Sequence, residues 1–260
     1  MKAILDKMKE ILKAIIIFLI LGVLLIILWE AIRYFGSFKQ ELLPSSKEII
    51  YSLLKILETK KFWIDLTSSL ERVIIGLVLA AIIGIPLGMI VSSNKYAKLI
   101  IEPTIDFLRS IPITSLYPVF VLTLGINNQG KIGMIFLGCV LIIMLHTITG
   151  FDNKSKQRHL ISKLYGASTS YIFMKIIIPE ALPSIATGVR VSIGYALIIS
   201  TLTEMFMGAT NGIGQSLMES YSIYNLSNMY GYIVILGCLG YLLNNLVSKF
   251  ENRISEWKQR

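Results

Sequence analysis

The sequence predicts an all-α, polytopic membrane protein with six transmembrane helices, and three observations predict it. Hydrophobic residues make up 54% of the 260 and charged residues only 16%, against about 25% charged in a typical soluble domain. The apolar residues gather into runs of the length that a bilayer demands, about 20 residues for a helical span. The 25 Lys and Arg residues, which give a net charge of +9, fall mainly between those runs, where basic residues report orientation. A soluble globule this apolar would carry large adhesive patches.

The first span, residues 14–32, follows Lys2, Lys7, Lys9 and Lys13. Its apolar run is longer than that of a signal peptide and no small-residue cleavage site follows, so it reads as an uncleaved helix. Next, Ser45 and Glu48 have the spacing of a capping box, with Ile49, Ile50, Leu53 and Leu57 after them at helical intervals. Two readings fit that short helix: one lying on the outer membrane surface, or one packed on the spans. The remaining spans are residues 69–91, 103–124, 132–150, 184–207 and 229–248. Pro112 and Pro118 interrupt the third of the six.

With the N-terminus inside, sixteen basic residues fall in inner segments and seven in outer ones, six of those seven in the first outer loop. The positive-inside rule therefore places both termini in the cytoplasm. No run of five basic residues and no basic stripe interleaved with aromatics occurs, so the charge reads as topology and not as a nucleic-acid surface. Cys139 and Cys238 both fall in spans, which implies no disulfide framework.

Lipid offers no hydrophobic drive for helices to associate, so small residues mark faces where backbones approach. Gly76, Ala80, Gly84 and Gly88 recur every fourth position in one span, and Gly188, Ser192, Ala196 and Ser200 in another. Both rows are expected to be contact faces, within the chain or across a dimer. The prolines free carbonyls four residues earlier, and broken backbone at membrane depth must be buried or line a wet cavity. Residues 111–115 therefore read either as pore lining or as a plain kink.

Ionisable residues inside spans are functional candidates: here Arg72, Arg190, Glu204 and His146. Chain direction puts Arg72 and Glu204 at the same, outer depth, which suggests a structural ion pair, with substrate contact by Glu204 as the sharper alternative. Thr114, Ser115, Ser200 and Glu204 are the candidate lining of a substrate path. His146 has no second ligand at helical spacing, so no metal site is expected. No nucleophile–base constellation and no phosphate-cradling glycine loop is present, so neither an enzyme nor an ATP-binding chain is expected.

The most informative stretch is residues 152–183. Leu160, Ile161 and Leu164 form one apolar face of a short helix that Gly166 breaks. Ser168 or Thr169 is placed to cap a second helix running to Ile177, which Pro179 is expected to stop. An exposed apolar face among Lys and Arg needs a partner or the membrane surface.

Here the chain resembles a family. Gly166, nine residues, then Ile176-x-Ile178-Pro179 is similar to the EAA loop of ABC importer permeases, whose pattern is EAA-x3-G-x9-I-x-L-P. The blocks 69–76, 109–112 and 181–190, Thr203-Glu204 and Gly212-Ile213-Gly214 resemble the nitrate, sulfonate and taurine branch. The similarity spans residues 43–257. One departure stands out: the EAA positions fall on Leu160, Ile161 and Ser162, so the glutamate is missing.

The resemblance implies a type I ABC importer permease: a domain of residues 1–67 with the first helix and an external amphipathic segment, a permease core of 68–250, and a cytoplasmic tail of 251–260. It implies that Leu160, Leu164, Gly166, Ala167, Ile176, Ile178 and Pro179 couple to ABC ATPase subunits, which bind the ATP. It further implies an extracytoplasmic substrate-binding protein, a homodimer in the cell membrane, and a small anionic substrate such as an aliphatic sulfonate, taurine or nitrate. Related branches carry thiamine-pyrimidine precursors, riboflavin or bicarbonate. An ATP-independent secondary transporter is the rival from another class; it would usually show repeated halves or charged mid-span residues.

Overall fold

A computed structural model of the chain describes residues 20–36, 42–152 and 156–259, and among these every regular element is helical. Helix α1 (residues 20–35) presents apolar side chains that are mostly exposed, from Ile20 to Leu28, as a lipid-facing helix does. Lys2, Lys7, Lys9, Lys13 and residues 14–19 of the expected first span lie outside the described residues. The end of α1 is fastened to the following segment: Trp29 Nε1 donates to the Pro44 carbonyl at 3.0 Å and Arg33 Nε to that of Leu43 at 3.0 Å.

Helix α2 (Ser46–Glu58) begins with the capping box that Ser45 and Glu48 spell, both reciprocal bonds being present. Ile56 and Phe62 join Ile213, Leu217, Tyr232 and Ile235 in one apolar cluster. The short helix is thus packed on the bundle, while Ile50, Tyr51 and Leu54 on its other side remain exposed.

The centre of the fold is α6 (Asn128–Asp152), which lies between α3 (Lys60–Ser93) and α9 (Ile178–Phe206). The two rows of small residues explain this arrangement. All four positions of each row are buried, and both face α6. A Cβ on Gly76 would come within 2.5 Å of Ile135, one on Gly88 within 2.7 Å of Thr147, and one on Gly188 within 2.6 Å of His146. The rows are therefore contact faces within one chain. Val73, Ala80, Met134, Ile135, Cys139, Val140, Ile143, Ala196, Leu197 and Ile199 fill the space between the three helices.

The third expected span is not one helix. Helix α4 (Lys95–Ser110) and α5 (Tyr117–Leu124) are set 82° apart around a 3-10 turn, Ile113–Leu116. Pro112 sits before that turn and Pro118 begins α5, where a missing amide costs nothing because the first helical amides have no partner anyway. Among the described residues four helices are long and apolar enough to cross a membrane, or five if the bent pair counts as one span. All four are longer than the expected 69–91, 132–150, 184–207 and 229–248: α3, α6, the continuous helix Thr169–Phe206, and α11 (Leu226–Gln259).

At the opposite end from the α2–α3 corner stands a helical hairpin. Helix α7 (Lys156–Leu164) ends in a glycine turn: Gly166 has φ +77°, its amide bonds the Lys163 carbonyl, and the Ala167 amide reaches back to Ser162, both at 3.0 Å. This pair of bonds is a Schellman cap. Ser168 caps the next helix, α8 (Thr169–Ile172), accepting from the Tyr171 amide at 3.2 Å. Pro179 does not stop that helix. A π-turn, Phe173–Ile177, carries α8 directly into α9, with the Ile178 amide bonding the Phe173 carbonyl. The widened turn accommodates the proline ring, which would otherwise clash with a carbonyl one turn back.

Candidate functional site

Two regions combine unusual chemistry with a defined place in the fold, one at each end of the bundle.

The first is a buried polar junction where α3, α6 and α9 meet the start of α10 (Ile213–Ser222). Arg72 Nη1 lies 2.8 Å from Glu204 Oε1, the side chains being 5% and 1% exposed. A charge pair this far from water holds only if its remaining hydrogen-bonding capacity is satisfied, and here it is. The Glu204 carboxylate also accepts from Ser69 Oγ at 2.9 Å, Ser200 Oγ at 3.1 Å and the Gly214 amide at 2.9 Å. Arg72 gives its other donors to Asn128 Oδ1 and the Asn211 carbonyl, each at 2.9 Å.

Asp65, one turn below Ser69 on α3, is fully buried and accepts from the Gly212 amide at 2.8 Å and Ser216 Oγ at 2.6 Å. The Ile213 amide donates to Ser69 Oγ at 2.9 Å. Three consecutive amides, Gly212 to Gly214, are thus each held by a different side chain. Gly212 has φ +153° and leaves no room for a Cβ beside the Glu204 carboxylate, so the residue type follows from the close approach. Lys131 is buried nearby, its Nζ donating to the Ile126 carbonyl at 3.0 Å.

Of the expected path residues, the structure brings Ser200 and Glu204 together inside this junction and leaves Thr114 and Ser115 apart from them. Thr114 lies on the 3-10 turn. With Ile113, Tyr117, Met134, Ile199 and Thr203 among its neighbours, it lines an open cavity of about 260 Å³. Tyr117 ties that turn to α9 by donating its hydroxyl to the Phe206 carbonyl at 2.9 Å. Ser115 Oγ donates to the Pro112 carbonyl at 2.7 Å and stays exposed. A second cavity, of about 170 Å³, shares Ile113 and continues past Arg109, Gly138 and Tyr195. Together they form a groove along α6 and α9, under the bend between α4 and α5.

Arg190 pairs with Glu251 of α11 at 2.9 Å, and Thr187 donates to the same carboxylate at 2.5 Å. His146 is half-buried against Gly188. No group of three metal-ligating side chains occurs among the described residues. The side chain of His159 lies outside them.

The second region is the α7–α8 hairpin. Leu160, Ile161, Leu164 and Tyr165 are exposed by 61, 52, 79 and 87%. Ala167, Ile176 and Ile178 instead pack on a cluster of Phe151, Ile172, Ile177, Ala181 and Ile185 that roots the hairpin on the spans, and Pro179 opens α9. Arg158 on α7 bonds Glu180 of α9 at 3.0 Å. This brace was missed from sequence.

Asp65, Ser69, Asn128 and Lys131 were also missed, although a signal exists for two of them. Residues 65, 69, 72 and 76 continue the helical face of the small-residue row 76, 80, 84 and 88.

The family described as "Binding-protein-dependent transport system inner membrane component" matches residues 76–256. The chain is 25% identical over 240 residues to the putative aliphatic sulfonates transport permease protein SsuC of Bacillus subtilis (strain 168), covering 92% of this chain and 87% of that one. It is 27% identical over 238 residues to the formylaminopyrimidine transport permease protein ThiX of Halalkalibacterium halodurans, covering 91% and 94%. It is 30% identical over 187 residues to the bicarbonate transport system permease protein CmpB of Synechococcus elongatus, covering 72% and 67%. Among solved structures, one of the inward-facing MetNI methionine ABC transporter aligns with a TM-score of 0.64 at 20% identity, over 80% of this chain and 99% of that one.

Proposed function

We propose, on the premise that this chain belongs to the binding-protein-dependent transport system inner membrane component family, that it forms the path of an ATP-driven importer for a small anion. As a member of that family it is an ABC importer permease in the membrane and not itself an enzyme. ATPase subunits and a substrate-binding protein are the partners that the family implies.

In the proposed arrangement both termini face the cytoplasm and two copies pair in the membrane. The α7–α8 hairpin seats in the ATPase, which binds the ATP. The single observation that carries this reading is the hairpin tip: a glycine-capped turn that leaves Leu160, Leu164 and Tyr165 exposed although the segment around them is rooted in the bundle. An apolar tip of this kind needs a partner. Ala167, Ile176, Ile178 and Pro179 set its angle, by packing on the root and opening α9.

The same element suggests how force would travel. From Thr169 to Phe206 the chain is one helical rod of 38 residues, about 57 Å at 1.5 Å per residue. It runs from the hairpin to Glu204, so displacement of the tip would reach the polar junction without passing through a loop. Two states of the membrane domain, bound differently by ATPase and binding protein, are the thermodynamic requirement for import. The groove that Thr114 lines, with Ser115 next to it on the same turn, is the proposed path, closed by the second copy. Ser200 and Glu204 then hold the path in shape from behind and do not touch the solute.

For the solute we favour an aliphatic sulfonate, taurine or nitrate, on the resemblance to the sulfonate branch. The names of SsuC and CmpB both carry small anions, whereas that of ThiX carries a formylaminopyrimidine. The test is uptake into vesicles holding the chain with its ABC ATPase and substrate-binding protein. ATP-dependent uptake of a labelled alkanesulfonate, resisted by excess taurine or nitrate and indifferent to formylaminopyrimidine, is expected. Uptake without ATPase, or labelling of Lys163 from the external side, would overturn the reading.

A further inference from the structure

The charge carried by the exposed hairpin is unusual, and its arrangement identifies what must face it. From residue 153 to residue 179 there is no Asp or Glu, while Lys154, Lys156, Arg158, Lys163 and Lys175 supply five positive charges. The two carboxylates that flank this stretch are both paired with cations of the same chain. Asp152 is held by Lys98 of α4 and Glu180 by Arg158. Glu180 is itself buried, its side chain only 6% exposed. The surface left outward consists of Leu160, Ile161, Leu164 and Tyr165 with Lys163 exposed among them.

We infer that the hairpin docks into a groove of the ATPase that has an apolar floor and an acidic rim; this rests on the coupling reading above. Apolar side chains exposed this far supply the buried anchor of an interface, and charges at its edge set orientation and partner choice. Lys163 and Lys175, both exposed, give the described hairpin surface a cationic edge, which selects carboxylates on the other side and repels a basic one. An acidic membrane surface would attract the same charges. The geometry favours protein, because the apolar face of α7 is one short helix of nine residues that ends at a sharp, backbone-capped turn exposing Tyr165 beside it.

The brace between Arg158 and Glu180 gives this surface a fixed orientation. It ties the middle of α7 to the start of α9 across a cavity of about 240 Å³ also lined by Ile161, Ser162 and Lys175. With Asp152 held by Lys98, Glu180 by Arg158 and no acid between them, the hairpin offers no unpaired carboxylate to an arginine of the partner.

The test uses the full chain, tagged and co-expressed with its ABC ATPase subunit, and measures ATPase retained in detergent. Leu160 is exposed, so Leu160→Glu is tolerated by the fold, with gel filtration as the check; Leu160→Gln is the uncharged control. Leu160→Glu and Lys163→Glu are each expected to weaken retention about three- to tenfold beyond the uncharged control. The gap should shrink between about 0.05 M and about 0.5 M salt as screening shortens. Retention with Leu160→Glu equal to or above that of Leu160→Gln would overturn an acidic groove while leaving the coupling reading intact. Absence of ATPase from the wild-type preparation would remove both. A fluorophore at Tyr165→Cys, in nanodiscs without ATPase, should not respond when phosphatidylglycerol replaces phosphatidylcholine; a blue shift would assign the surface to lipid and overturn the proposal.

Discussion

Arg72 Nη1 and Glu204 Oε1 stand 2.8 Å apart, on helices that each border α6 and with both side chains closed to solvent. The pair is not symmetric in its surroundings. Glu204 is ringed by donors: two hydroxyls and the Gly214 amide. Arg72 is ringed by acceptors, the Asn128 side chain and the Asn211 carbonyl. Each environment fits one sign of charge.

Exchanging the charges should therefore not rescue the fold. Arg72→Met and Glu204→Ala each leave a buried charge without its partner, a loss of about 3–5 kcal/mol. The exchange Arg72→Glu with Glu204→Arg puts a cation against the Gly214 amide and a carboxylate against the Asn211 carbonyl, so it should be as poor as the singles. The thermal midpoint of the purified protein in detergent is the readout. Recovery of the wild-type midpoint in the exchanged protein would show that the ring of donors is unimportant.

Asp65 separates charge from geometry. It accepts from Gly212 N and Ser216 Oγ, with no cation bonded to it among the described residues, and an amide side chain can do the same work by accepting from one and donating to the serine oxygen. Asp65→Asn should stay close to wild type in melting temperature. Asp65→Ala strands the Gly212 amide and should cost about 1–3 kcal/mol. Equal melting of the two variants would argue that the amide finds another acceptor.

Much of this was legible in the sequence because the physics behind it is local or periodic. The capping box at Ser45, the glycine turn at Gly166 and the two small-residue rows each depend on spacing along one segment. The shared depth of Arg72 and Glu204 follows from counting spans. What was not legible depends on where distant segments meet. Asp65 looks like an ordinary polar residue near a helix start until the Gly212 amide arrives 147 positions later. Glu180 likewise seems part of a basic loop's edge until Arg158 folds back on it.

Pro179 misled for a different reason. Proline reads as a stop in an α-helix, but a π-turn immediately before it removes the clash, and a π-turn has no composition signature. Ser200 and Glu204 were expected on the substrate path because they are polar within a span. Their side chains bond each other, with Arg72, Ser69 and the Gly214 amide also on Glu204, an arrangement that depends on where distant segments meet.

Two glycines test the small-residue argument against each other. A Cβ on Gly76 would meet Ile135 at 2.5 Å, whereas one on Gly194 meets nothing within 4 Å. Gly76→Val should push α3 from α6 and cost about 1–3 kcal/mol or more from overpacking, visible as a lowered midpoint and poor membrane yield. Gly194→Val, in the neighbouring helix with similar intrinsic propensity, should be nearly silent in the same assays. Similar damage from both would mean that helix propensity, not backbone approach, governs these positions.

Gly166 offers a test in which stability and function should part. Its φ of +77° is costly for a side chain, yet open space surrounds it, so Gly166→Ala pays only the backbone term of about 1–2 kcal/mol, and Gly166→Asn less. Because the hairpin tip contributes little to the core, most of that strain is expected to relax locally by opening the turn, leaving the thermal midpoint nearly unchanged. ATPase retention should fall in the order Asn, Ala, Pro. Proline is worst because it fixes φ near −65° and removes the amide that bonds the Lys163 carbonyl. A proline variant that holds the ATPase as tightly as wild type would mean that the turn does not present the docking surface.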